Sequence, residues 1–238
     1  MAEDGSGSDI DILSFLMLKQ DADLVKAEVK VNNAVWMKIT FPEQVYNRVD
    51  YELWVSPVDA ASMEFLISFK EYAQALSGYT RFIPRLYIND GIRAGCRMEE
   101  ENSCYNLCTN GGRYCATDPD NDLDSGISGA DVVTEGLRWL CIWQEDVAND
   151  GFRARWWEYV SNIPELVECA GDSFPGEDCA MTAMDKADID TARISRCMEG
   201  TGGLDGDDVE NKLLEEQLDA IQANGIVEVP TFKVNHSP

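Results

Sequence analysis

The clearest hydrophobic pattern starts at Val49. The run Val49-Asp-Tyr-Glu-Leu-Trp-Val55 reads as a strand. Pro57 breaks it, and Asp59 is placed to cap a helix whose apolar positions Met63, Leu66, Phe69, Tyr72, Ala73 and Leu76 follow the 3.6-residue period. Gly78 ends that helix, and Phe82 to Ile88 reads as a second strand. A strand-helix-strand unit implies a parallel pair with a right-handed crossover. Upstream, residues 1–9 are small and acidic and are expected to be a disordered tail. Residues 10–40 read strand, helix, strand. The apolar run Ile12–Leu18 is followed by Asp21 as N-cap, the stripe Leu24, Val25, Val29, and the alternating segment Val35–Ile39. Pro42 and the polar stretch to Arg48 form a linker.

From about 91 to 200 the pattern changes. Helix-length periodicities cover 129–145 (Val133, Leu137, Leu140, Cys141), 152–169 and 176–186. Adjacent Trp156 and Trp157 point about 100° apart on a helix, so one at most is expected to face the core squarely. The stretch Glu199–Asp208 reads as a flexible acidic loop. A last helix places Val209, Leu213, Leu214, Leu218 and Ile221 on one face, with Gly225 beyond its end. Val229-Pro230-Thr231 then precedes a short strand, Phe232 to Val234. In thioredoxin-like folds this context carries a cis-proline whose preceding backbone faces the substrate. The expected architecture is therefore α/β: a thioredoxin-like fold with a cysteine-rich helical insertion at about 91–200.

Composition narrows the chemistry. Of 238 residues, 45% are hydrophobic, enough for a sizeable core. Asp and Glu number 44 against 19 Lys and Arg, a net charge of −25. Such a surface repels phosphate backbones and anionic lipid, so no nucleic-acid partner and no membrane contact by this chain are expected; basic partners or divalent cations suit it better. No window approaches about 18 consecutive apolar residues. The single histidine, His236, makes imidazole catalysis or a histidine zinc site implausible, and no catalytic or metal residue is assigned.

All eight cysteines lie mid-chain, at Cys96, Cys104, Cys108, Cys115, Cys141, Cys169, Cys179 and Cys197. An even count without a CxxC pair argues for disulfides made in an oxidising lumen, in one of roughly a hundred connectivities. The N-terminus shows neither the basic nor the apolar region of a signal peptide, and the chain stops just after a strand-like run. These features suggest a fragment, truncated at its C-terminus, whose last strand presents an unpaired edge.

Redox catalysis in such a fold needs a thiol at the start of the first helix, where the dipole lowers its pKa. Here that segment reads Ser56-Pro-Val-Asp-Ala-Ala-Ser62 and holds no cysteine. The run Asp118-Pro-Asp-Asn-Asp-Leu-Asp124 alternates carboxylates as a calcium loop does, but from Asp118 the sixth and twelfth places are Leu123 and Gly129. From Asp120 they are Ser125 and Asp131, so a solvated acidic loop is expected. The one Asn-x-Ser/Thr sequon, Asn235-His-Ser, is followed by Pro238, which disfavours its use as a glycosylation site.

Taken in order, several segments closely resemble the luminal domain of plant vacuolar sorting receptors. They are Val49-Asp-Tyr-Glu-Leu-Trp54, Cys104-Tyr-Asn-Leu-Cys108-Thr-Asn-Gly-Gly-Arg-Tyr-Cys115-Ala-Thr-Asp-Pro-Asp, Gly129-Ala-Asp-Val-Val133, and Leu137-Arg138 with Cys141. Trp156-Trp-Glu-Tyr-Val160, Cys197-Met198, Asp208-Val-Glu-Asn211 and Val229-Pro-Thr231 complete the set. The resemblance covers about 45–235, and residues 10–44 resemble the tail of the protease-associated (PA) domain that precedes it in that family. It implies a domain order of 1–9 tail, 10–44 PA remnant with linker, and 45–238 thioredoxin-like central domain.

The function implied is a non-catalytic peptide-binding module of a membrane receptor that carries soluble proteins from Golgi to vacuole. Its partners would be the sorting peptides of those proteins, and its location the lumen of the Golgi and prevacuolar compartment. No cofactor is expected of this chain; calcium would enter through EGF-like repeats that it lacks. The chain departs from the family where a cysteine pair usually follows the Glu-Leu-Trp strand and Asp59-Ala-Ala-Ser62 stands instead. The candidate peptide site is Val229, Pro230 and Thr231, facing Asp59 and Ser62, with Arg48 as a carboxylate partner. The alternatives are a luminal thioredoxin-fold redox or folding helper and an acidic calcium-binding protein.

Overall fold

The computed structural model describes residues 19–31, 34–35, 48–96, 104, 106–146, 152–171, 174–206 and 209–235. The chain divides into two compact units, 1–45 and 46–238. In the first, helix α1 spans Lys19–Lys30. Asp21 lies inside its first turn instead of capping it, a position where the helix dipole also favours a carboxylate. The expected tail 1–9, the strand Ile12–Leu18 and residues 36–39 lie outside the described residues.

The second unit opens with β1 (Val49–Val55), α2 (Ala60–Leu76) and β2 (Thr80–Leu86). β1 and β2 pair in parallel, Val49 with Thr80 through Val55 with Leu86. The last strand, β6 (Thr231–Val234), pairs antiparallel with β1, giving the order β2-β1-β6. Tyr51 to Val55 are buried in the central strand. Pro84 interrupts β2 without harm because β2 is an edge, where one missing N–H breaks no ladder bond. Tyr51 anchors one face, with its ring centroid 5.1 Å from Phe82, 5.3 Å from Phe232 and 5.9 Å from Phe69. Burial pushes its hydroxyl up to about 12.

Between β2 and the last helix, α8 (Lys212–Asn224), lies the cysteine-rich region. It begins with β3 (Asn89–Asp90), α3 (Gly91–Ala94), β4 (Cys108–Thr109) and β5 (Tyr114–Cys115), a small sheet ordered β3-β5-β4. Helices α4 (Gly129–Glu145), α5 (Ala154–Asn162), α6 (Glu177–Lys186) and α7 (Thr191–Gly200) follow. α8 starts at the Asn211 cap, whose Oδ1 accepts from the N–H groups of Leu213 and Leu214, so Val209 is left outside and exposed.

α4 lies directly on the main sheet. A Cβ on Gly136 would sit 2.3 Å from Leu86 Cδ2, so glycine is what lets helix and strand approach this closely. The core is consequently continuous from β1 through α4 to α5 and α6. Both Trp156 and Trp157 are buried, contrary to the expectation of one. α5 has partners on two sides. Trp157 stacks on Phe82 at 5.1 Å and on Phe152 at 6.1 Å, while Trp156 Nε1 donates to the Trp139 carbonyl at 3.1 Å.

The eight cysteines form four bridges: Cys96–Cys104, Cys108–Cys115, Cys141–Cys197 and Cys169–Cys179. Among the described residues no cysteine is free. No helix of the described residues is long and apolar enough to cross a membrane.

Candidate functional site

Ligands of open parallel sheets collect at the carboxyl ends of the strands. Here that end is formed by Val55, Leu86 and the segments that follow them. Asp59 is the N-cap of α2, its Oδ2 accepting from Ser62 N at 2.7 Å. Ser62 is fully buried, and its hydroxyl receives the Ser56 N–H at 3.4 Å. This helix start is thus knit together by oxygen acceptors where a redox enzyme needs a thiol, and among the described residues every cysteine is already bridged.

Thr231 pairs with Trp54, one residue before the end of β1, which sets Val229 and Pro230 beside that same corner. The Val229–Pro230 peptide is cis, and so is Phe174–Pro175, for which the sequence carried no signal. Thr231 Oγ1 donates to the Glu228 carbonyl at 2.7 Å, closing the turn. No described residue hydrogen-bonds the backbone of Val229.

The structure brings Asp59, Ser62, Val229, Pro230 and Thr231 to one end of β1, and places Arg48 at the other. A seven-residue strand separates them, about 20 Å at 3.3 Å per residue. The Arg48 guanidinium donates to the carbonyls of Thr80 (2.7 Å) and Ser77 (3.1 Å), satisfying the C-terminus of α2. Arg48 is therefore no part of the candidate site.

A cleft of about 870 Å³ opens between the small cystine sheet and α8, lined by Tyr87 but by none of the cis-proline corner residues. Its walls include Tyr87, Asp90, Arg113, Asp118, Leu218 and Gln222. Sequence reasoning missed it, because its halves, ending at Leu123 and resuming at Leu218, lie far apart along the chain. Tyr87 joins corner and cleft: its N–H bonds to Val55 O at 2.9 Å and its hydroxyl to Val227 O at 3.4 Å.

One wall is clamped by Arg113, which grips both carboxylate oxygens of Glu215 at 2.7 Å and Asp90 Oδ1 at 2.7 Å. Tyr114 donates to Glu215 Oε1 at 2.7 Å and accepts from Asn211 N at 2.8 Å. Arg113 holds the Glu215 carboxyl below its usual range, and burial together with Glu215 raises the Tyr114 hydroxyl.

The bridges Cys96–Cys104 and Cys108–Cys115 also line the cleft, with Cys115 Sγ 3.8 Å from Cys96 Sγ. The sulfurs of Cys96, Cys108 and Cys115 lie within 4.8 Å of one another, but a bridged sulfur is not the thiolate that metals bind.

A second charged cluster lies deep in the helical region. Glu135, fully buried, faces Arg138 and accepts from Trp139 Nε1 (2.8 Å) and Tyr159 OH (2.7 Å), while Arg138 also reaches Glu177 at 2.9 Å. Burial pushes the Glu135 carboxyl and the Tyr159 hydroxyl up. Arg138 and Glu177 line a separate cleft of about 540 Å³, whereas Glu135 lies wholly inside, where the cluster fastens α4 to α5 and α6.

The arrangement is that of a thioredoxin-like domain without a redox thiol at its first helix. The vacuolar sorting receptor thioredoxin-like domain model matches residues 49–238, and the chain belongs to that family. It is 33% identical to vacuolar-sorting receptor 4 of Arabidopsis thaliana, over 95% of this chain and 37% of the relative. It is 32% identical to vacuolar-sorting receptor 1 of Pisum sativum over the same shares. The chain thus spans little more than a third of the length of these relatives. A solved structure described as a protein-disulfide isomerase from Pseudomonas syringae matches with a TM-score of 0.41 and 11% identity, over 79% of this chain and 83% of that one, too remote to bear on function.

Proposed function

We propose that this domain is a non-catalytic, peptide-binding module of a vacuolar sorting receptor, working in the lumen of the Golgi and prevacuolar compartment without a cofactor. The unit before Val45 is then the end of the PA domain. The observation that carries the reading is the joining of an unpaired Val229 backbone to an 870 Å³ cleft through Tyr87, in a fold whose helix start holds Asp59 and Ser62 in place of a thiol. An extended cargo peptide pairs with Val229 by β-augmentation, and its side chains enter the cleft. Such binding is reversible, because no sulfur is available for a mixed disulfide.

The test is titration of a sorting peptide into isotope-labelled protein. Amide shifts at Ser56–Ser62, Tyr87–Asp90 and Val229–Thr231 are the expected result. Binding with those signals unmoved overturns the site, and turnover in an insulin-reduction assay restores the redox alternative.

A further inference from the structure

The acidic run Asp118–Asp124 differs from the solvated loop that its sequence suggests. Asp118 is only 5% exposed. Its Oδ1 accepts from the N–H groups of Asp120 (3.1 Å) and Asn121 (2.9 Å). Its Oδ2 is sealed from solvent and has no hydrogen-bond partner among the described residues.

The side chain in contact with the Asp118 carboxylate is another carboxylate, that of Asp120. Asp120 is held in place: Oδ1 accepts from Asp122 N at 2.8 Å and Oδ2 from Ile127 N at 3.0 Å. Gly126 seats it from the far side, since a Cβ there would lie 2.0 Å from Asp120 Oδ2 and the residue has φ +79°. No lysine or arginine of the described residues pairs with either carboxylate. A buried acceptor without a donor, set against a second fixed anion, is costly unless a shared proton or a metal cation sits between them.

We propose that Asp118 and Asp120 form a calcium site. Asp118 Oδ2 and the remaining lone pairs of Asp120 supply the anionic oxygens. Exposed Asp122 and Asp124, in alternate places of the same loop, and water complete the shell. An all-oxygen set excludes the softer transition metals. An irregular loop of carboxylates and carbonyls suits the six to eight flexible ligands of calcium better than the strict octahedron of magnesium. The departures from the EF-hand at Leu123 and Gly129 remove the bidentate glutamate that gives those loops high affinity. The site therefore falls in the weak range of extracellular modules, with Kd about 10⁻⁴–10⁻³ M.

Calorimetric titration of the chelator-treated whole chain with calcium chloride tests this. One site is expected, with amide shifts confined to Asp118–Ile127. Asp118→Asn and Asp120→Asn should each weaken it at least about tenfold, and Glu216→Gln, an exposed carboxylate on α8, should leave it unchanged. If buried Asp118→Asn fails to fold, Asp120→Asn and Gly126→Ala, both at exposed positions, carry the test. Absence of saturable binding at ten times the millimolar limit of that range, or binding indifferent to all three variants, overturns the proposal. Equal affinity for magnesium overturns the assignment to calcium.

Discussion

The thioredoxin-like frame and the cystine-rich helical region hold together by different means. In the frame, β1 is largely apolar and buried between β2 and β6, the rings of Tyr51, Phe69, Phe82 and Phe232 pack across it, and its buried Glu52 pairs with Arg85 of β2. Backbone pairing and non-directional burial are joined there by one buried carboxylate and its arginine. The helical region is fastened by four bridges and by the Glu135–Arg138 cluster, interactions that depend on direction and on covalent closure. Yet the two share one core through α4. The region between β2 and α8 is thus a second layer of the same domain, and damage to its fastenings reaches the sheet.

The largest effect should come from Glu135→Ala, which leaves Arg138 buried with only the exposed Glu177 as partner. Breaking a buried pair from one side costs about 3–5 kcal/mol. Urea denaturation of the variant should show that loss, and a loss below 1 kcal/mol would falsify the role given to the cluster.

Next is the covalent contribution. Cys141–Cys197 joins α4 to α7 across a sequence separation of 56, and Cys108–Cys115 spans 7. Loop-closure entropy predicts that replacing the first pair with serines costs about 4 kcal/mol, and the second about 2.4 kcal/mol. Melting of both double variants ranks them; the reverse order sinks the view that the long bridge is the main staple.

In the frame, Asp59→Ala removes the α2 cap and should cost about 1 kcal/mol. Asp59→Asn should restore most of it, since either side chain accepts the Ser62 N–H. A cap explains that pattern; failure of the asparagine would assign the carboxylate a charge-dependent task.

The smallest effect concerns acid. The folded-state pKa of Glu215 is lowered by Arg113, so its contribution is complete above the unfolded value, about 4.3, and is lost as pH falls through the folded value. Stability measured from pH 6 down to about 2 should fall on this account below about pH 4.3. Glu215→Gln should lower stability at pH 6 and flatten that limb. An unchanged acid limb would show that the clamp on the cleft wall adds nothing.

Legibility in the sequence followed the length of the elements. α4 was readable to the residue as 129–145, and α2 nearly so, since 17 positions each give several turns; Asp59 marked the start of α2, and only its end, read at Gly78, falls earlier, at Leu76. The start of α8 was misplaced at Val209 because apolar periodicity outvoted the Asn211 cap. α7 went unread: of its ten residues only Ile194 is buried, so it shows almost no apolar stripe. The two-residue strands β3, β4 and β5 fall below any periodic signal. At the candidate site, Val229-Pro230 and the thiol-free helix start were visible as local motifs. The cleft and the placement of Arg48 depend on distances across the fold, which spacing along the chain does not encode.

Pro84 carries one further consequence. Midway along β2 it offers no N–H, so the outer side of that strand makes a poor template for a neighbouring chain, whereas the β6 side has no such block. A β6-to-β2 contact between copies repeats head to tail and propagates without limit; the proline disfavours that arrangement. Pairing of β6 with β6 is two-fold and self-terminating. Among the described strands, Pro84 thus biases the addition of a further strand away from β2.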